Sequence, residues 1–156
     1  MNDGETIAVA TVVALAVDAD GPLVGIALTG PSGSGKTSAA FALVEMCPWR
    51  RSRVLADDGV ILWRDDRRIM GRAHPRTRAT AEARRAGIMS MPTIEQVVMA
   101  MVFDCTEGGE RLPPVRNWPS DAPSLALPLY SLPPIRTVRP FVRSVLGGHS
   151  PRSALD

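Results

Sequence analysis

Gly30-Pro31-Ser32-Gly33-Ser34-Gly35-Lys36-Thr37 fits G-x-x-x-x-G-K-[ST], the pattern of a phosphate-binding loop. No other stretch restricts the possible folds so tightly, because such a loop must leave a buried strand and open a helix. The apolar run at residues 23–28 supplies the strand. Residues 36–47 carry helical apolar spacing, with Ala40, Phe41 and Val44 among the inward positions and Pro48 as the stop. The glycines allow successive N–H groups to curl around an anion, and the helix dipole adds about half a positive charge at the same point. The pattern therefore predicts bound nucleotide, with residues Gly30 to Thr37 as the cradle. Lys36 would reach the β- and γ-phosphates, and the Thr37 hydroxyl would ligate Mg²⁺.

Lys36 is the only lysine; every other one of the 18 Lys and Arg residues is arginine. The bias is that of GC-rich codon usage. The retained lysine stands where a compact ammonium suits the site better than a planar guanidinium. A net charge of +2 is too small to argue for nucleic acid. Arginines cluster at residues 50–53 and 64–85, as solvated faces or as a surface for phosphate or an acidic partner.

With 156 residues, 45% hydrophobic and 22% charged, one globular α/β domain over residues 1–147 is expected, followed by a disordered tail at 148–156. Cys47 and Cys105 lack metal-ligand spacing and read as buried thiols of a cytoplasmic protein. The apolar run at residues 7–17 follows Asp3 and Glu5, not a basic segment. It is also too short for a spanning helix, so a strand or bent pair of strands is expected, with no membrane attachment. Further strands are expected at residues 53–58, 60–63, 87–89 and 97–103, with a hairpin tip at 65–68 and a long loop at 72–86. Residues 106–123 read as loop, 125–130 as an edge strand interrupted by Pro128, and 138–146 as a short final helix. Strand outweighs helix. Trp49, Trp63 and Trp118 are expected to pack at partly covered surfaces.

Asp57 and Asp58 close the strand at 53–58 and supply the carboxylates that a triphosphate loop needs beside it. Adjacent strand residues face opposite ways, but a turn helped by Gly59 would let both enter one cleft. One carboxylate would then serve the metal, and the other would orient or deprotonate an attacking hydroxyl.

The loop, its helix and Val54-Leu55-Ala56-Asp57-Asp58 together resemble the catalytic domain of bacterial HPr kinase/phosphorylase, in its short proteobacterial form. The likeness runs over residues 10–147. Ala81-Glu82-Ala83-Arg84-Arg85-Ala86-Gly87 takes the place of the family's Leu-Glu-Val-Arg-Gly-Leu-Gly signature, and a strand ending in Val102-Phe103-Asp104 follows it. The resemblance implies a strand-rich P-loop fold of the phosphoenolpyruvate-carboxykinase-like type. It implies ATP-dependent phosphorylation of a serine on an HPr-like phosphocarrier, reversed in some members, with ATP and Mg²⁺ as cofactors and a possible homo-oligomer. Carried over, Asp57 acts as base, Thr37 and Asp58 hold Mg²⁺, and Glu82 with Arg84 lies in the signature loop near the phosphoryl path, where Arg84 or Arg85 would stabilise transferred charge. Glu82 and Arg85 belong to the substrate loop. The family's upstream histidine is missing: Thr11 or a neighbour takes its place, and no histidine precedes His74. Arg85 stands where the signature has glycine. The altered signature leaves open a nucleotide-binding regulator with weak or no turnover. A small-metabolite kinase is disfavoured, since too little helix follows residue 58 to build a lid.

Overall fold

The structure, a computed structural model, describes residues 4–75, 94–106 and 116–147. Nine strands and two α-helices are found among them. The strands are β1 (Thr6–Ala8), β2 (Thr11–Leu15), β3 (Val24–Thr29), β4 (Arg53–Ala56), β5 (Val60–Asp65), β6 (Arg68–Ala73), β7 (Gln96–Asp104), β8 (Arg116–Trp118) and β9 (Leu127–Ser131). The helices are α1 (Lys36–Glu45) and α2 (Ile135–Leu146).

All nine strands join one mixed sheet, with the path β1-β5-β6-β7-β3-β2-β4. The loop strand β3 lies at its centre, antiparallel to β2 and parallel to β7. Along its other edge β7 pairs antiparallel with β6 in its first half and parallel with β9 in its second. The sheet is curled. One core gathers small residues such as Ala8, Ala10, Ala14, Ala27 and Ala56 with Val60, Leu62 and Val102, and β4 there meets β6 across the concave side. The second core lies under the helices, where Val13, Leu15, Ile26, Leu28 and Phe103 meet Leu43, Val44, Val138 and Val142. Side chains of successive strand residues alternate between these two layers, as the pleat requires.

Close packing inside the curl depends on two glycines. A Cβ at Gly25 would stand 2.6 Å from Met99 Sδ, 2.8 Å from Val97 Cγ1 and 3.0 Å from the Val98 carbonyl. At Gly71, on the far side of β7, it would again meet Met99 Sδ, at 2.8 Å. Met99 thus lies between two bare backbones. The Val98 carbonyl cannot rotate away, so Gly25→Ala should lower stability by about 1–3 kcal/mol, read as a reduced urea midpoint with an unchanged slope. An unchanged midpoint would show that Met99 repacks freely.

The central strand, its helix, the strand pair at the N-terminal end and the hairpin agree with the sequence reading. Asp66 takes φ 57 in the two-residue turn between β5 and β6. Ala40 and Val44 are buried, whereas Phe41 is only partly so. Several expectations are corrected. β6 runs on to Ala73, two residues into the stretch read as a long loop. Residues 116–118 form β8 within the stretch read as loop, so β9 has neighbours on both sides over part of its length. The final helix starts three residues earlier than expected, with the Thr137 hydroxyl donating to the Pro134 carbonyl (2.7 Å). Arg139 and Arg143 on that helix then donate to the carbonyls of Ala16 and Val17, fixing α2 over the end of β2. The strand expected at 87–89, the 72–86 loop beyond residue 75 and the 148–156 tail lie outside the described residues. Trp49 and Trp63 are partly covered, each beneath an arginine: Arg139 at 5.8 Å and Arg72 at 4.9 Å from the ring centres.

Candidate phosphate-loop site

The loop leaves β3 at Thr29 and enters α1 at Lys36. Gly30, Gly33 and Gly35 take φ values of 143, 84 and 92, conformations that side-chain-bearing residues rarely adopt. Gly35 caps α1 without a side chain, and no acidic residue occupies the first helical turn. The amides of that turn have no carbonyl four residues behind them, and nothing in the turn neutralises the positive end of the dipole. An open cavity of about 280 Å³ lies directly over this terminus, lined by Ser32, Gly33, Gly35, Lys36, Thr37, Ser38 and Asp58. A concave helix start with no acidic residue in its first turn, reached through three glycines in positive-φ conformations, fits a bound polyphosphate.

Not every residue of the motif faces the cavity. Ser34 donates its N–H to the Pro31 carbonyl (3.1 Å), and its hydroxyl is buried beneath the loop without a hydrogen-bond partner. Pro31 and Ser34 therefore shape the loop, while Gly30 offers its carbonyl inward. A buried unsatisfied hydroxyl costs about 1–3 kcal/mol. Ser34→Ala should leave thermal stability unchanged or raise it by a few degrees, and a lower melting temperature would show that the hydroxyl is engaged.

Lys36 is 8% exposed; its Nζ donates to the Gly30 carbonyl (2.7 Å) and lies 3.8 Å from Asp58 Oδ1. The Thr37 hydroxyl donates to Asp57 Oδ1 (3.1 Å), and the Thr11 hydroxyl donates to the same oxygen (2.8 Å). Asp57 and Thr11 are 3% and 1% exposed, whereas the Asp58 side chain is 41% exposed and faces the cavity. Both carboxylates do reach one site, and the way they do so is specific. Val12 pairs with Ala56 but Val13 pairs with Val54, leaving Leu55 as a bulged residue in β4. Leu55 and Ala56 consequently share the concave core, and Asp57 turns to the helix side. Regular alternation from Val54, which packs under the helices, would have turned Asp57 away from them. Asp58 then takes φ 63, a left-handed conformation tolerated by aspartate, and swings toward the cavity mouth.

The parallel strand β7 ends beside the loop. The Cys105 N–H donates to the Thr29 carbonyl (2.8 Å), and Asp104 accepts from the Thr106 N–H (2.8 Å) and from Arg116 (3.2 Å). Burial raises the Cys105 thiol, the Asp104 charge adds to this and Lys36 opposes it, leaving it pushed up to about 11. Burial also raises Asp104, but the Thr106 and Arg116 hydrogen bonds outweigh it and hold the carboxyl below the usual range. That contribution to stability is present above pH 3.8 and is lost only in stronger acid. The Asp104–Arg116 contact has no sequence signal, since Arg116 falls in a stretch that reads as loop. Glu82, Arg84 and Arg85 of the expected substrate loop lie outside the described residues.

No cluster of three or more His, Cys, Asp or Glu side chains suited to a metal exists among the described residues. A Mg²⁺ carried on phosphate oxygens needs only one or two protein oxygens, and Thr37 with its adjoining carboxylate supplies that donor set. No helix among the described residues is long and apolar enough to cross a membrane.

The fold is a curled, strand-rich mixed sheet, with a phosphate-loop sequence after its central strand β3 and two carboxylates after β4, one strand removed from it across β2. The structure of the HPr(Ser) kinase/phosphatase from Coxiella burnetii shares this fold, with a TM-score of 0.62 and 15% sequence identity over 92% of this chain and 97% of that one. The chain thus has an HPr kinase-like catalytic-domain fold. No protein-family model and no curated protein matches it.

Proposed function

We propose that the chain is an ATP-dependent protein-serine kinase acting on an HPr-like phosphocarrier. The observation that supports this best is the convergence of Lys36, Thr37, Asp57 and Asp58 on the open start of α1, within a fold shared with an HPr(Ser) kinase/phosphatase. Mg·ATP would supply the phosphoryl group, with the metal neutralising charge on the phosphate oxygens. The amides after Gly35 bind and orient those oxygens. Lys36, now held on the Gly30 carbonyl, is placed to exchange that neutral acceptor for a phosphate.

The geometry favours a division of labour between the carboxylates opposite to the one expected from the family resemblance. Asp57 shares a hydrogen bond with the P-loop threonine, the residue that ligates Mg²⁺ in such sites, and is buried behind it. We assign Asp57 to the metal with Thr37. Asp58 stands at the cavity mouth, where a serine hydroxyl arriving on another protein can reach it, and is assigned to orient and deprotonate that hydroxyl.

Incubation with Mg·ATP and an HPr-type phosphocarrier, followed by intact mass, tests this reading. A gain of one phosphate on serine is the expected result. Absence of phosphate with Mg·ATP binding intact would instead favour a nucleotide-gated binder. Absence of ATP binding would overturn the nucleotide reading itself.

A further inference from the structure

We propose that Thr11 is a positioning residue that holds Asp57 in register with Thr37, and so sets the affinity of the site for a divalent metal; this rests on the nucleotide reading above. Its placement follows from topology. β2 runs antiparallel to both β3 and β4, so its first residue lies at the carboxyl ends of the two strands that deliver the loop and the carboxylates. Thr11 pairs with Leu28 on one side, and the next residue, Val12, pairs with Ala56 on the other. One side chain at this point can therefore tie the end of β4 to the site.

Thr11 does so with a 2.8 Å hydrogen bond to Asp57 Oδ1, the oxygen that also accepts from Thr37 at 3.1 Å. Two hydroxyls on one carboxylate oxygen fix the plane of the carboxyl, and 1% exposure leaves Thr11 no solvent partner to exchange with. The β-branched side chain also restricts its own χ1, so the donor is held in place before any ligand arrives. The bulge at Leu55 turns Asp57 to the helix side, but pairing stops at Ala56, so no ladder partner holds Asp57 itself and the Thr11 hydroxyl supplies that restraint. Outer-shell donors of this type set metal affinity by orienting the ligand, and their loss costs about ten- to a hundredfold.

The test is calorimetric and needs no acceptor protein. Thr11→Val keeps the shape and β-branching but removes the donor, whereas Thr11→Ser keeps the donor. Binding of Mn·ATP and of ATP with EDTA should be measured for each. Thr11→Val is expected to weaken Mn·ATP binding about tenfold while metal-free ATP affinity stays within about twofold, and Thr11→Ser should remain close to wild type. In an Asp57→Ala background, Thr11→Val should have no further effect on Mn·ATP; that cycle holds even if the single variant is less stable. Unchanged Mn·ATP affinity in Thr11→Val, or equal losses with and without metal, would overturn the positioning role and leave the kinase reading standing. Wild-type protein that binds neither form would overturn the nucleotide reading, and this proposal with it.

Discussion

Lys36→Ala should reduce phosphoryl transfer by at least about 10²–10³-fold while the protein remains folded. The size of the effect follows from where the charge sits. The ammonium is 8% exposed, at the edge of a small cavity, with a neutral carbonyl at 2.7 Å and one carboxylate at 3.8 Å. A cation held in a partly dry site and aimed at developing charge is worth about 3–4 kcal/mol of barrier, which is that factor in rate. Folding should be little affected. Alanine is the better helix former at this first position of α1, and Gly30 is only partly buried, so water can replace the ammonium on its carbonyl. Intact-mass assay of the acceptor, calorimetry with Mg·ATP and a thermal melt separate the effects. Lys36→Arg is expected to fail as well, because a planar guanidinium cannot occupy a space fitted to a point charge. Transfer retained within tenfold in Lys36→Ala would remove this lysine from the chemistry.

The central part of the site is legible in the sequence for physical reasons. Glycines at 30, 33 and 35 mark backbone that only glycine adopts easily, and the apolar run before them changes to helical spacing after them. Such local signals carry across a few residues. What stays hidden depends on pairing between distant strands. Leu55 reads as one more apolar strand residue, yet its bulge decides which way Asp57 points. β8 is three residues long, with prolines on both sides, too short for any alternation to show. Pro128 suggests a free edge, but it stands opposite Asn117 in β8, so the neighbour is there and only short. The arginines of α2 bind carbonyls more than 120 residues away, and no local pattern predicts them. Thr11 illustrates the boundary: the resemblance points to its position, and only the register of β2 against β4 shows what its hydroxyl touches.

The second large effect concerns the two aspartates, and conservative amide substitutions are suited to separating them. Asp58→Asn preserves the backbone, because asparagine tolerates φ 63 as aspartate does, and it removes the proton acceptor at the cavity mouth. At saturating Mg·ATP this variant should lose about 10²–10⁴-fold in kcat, with nucleotide and metal affinity nearly unchanged. Asp57→Asn keeps an oxygen for the Thr11 and Thr37 hydroxyls but removes the negative charge of the carboxylate. Its main effect should be on the metal: the Mg²⁺ concentration for half-maximal rate should rise about ten- to a hundredfold, and excess Mg²⁺ should recover part of the loss. The two signatures differ in kind, so neither can be mistaken for a general loss of folding. If Asp58→Asn proves the metal-sensitive variant and Asp57→Asn the one with depressed kcat at saturating metal, then the division implied by the family resemblance holds. Asp57 would in that case have to leave the hydroxyls of Thr11 and Thr37 to meet the acceptor, and the buried arrangement would be a resting state that substrate binding opens.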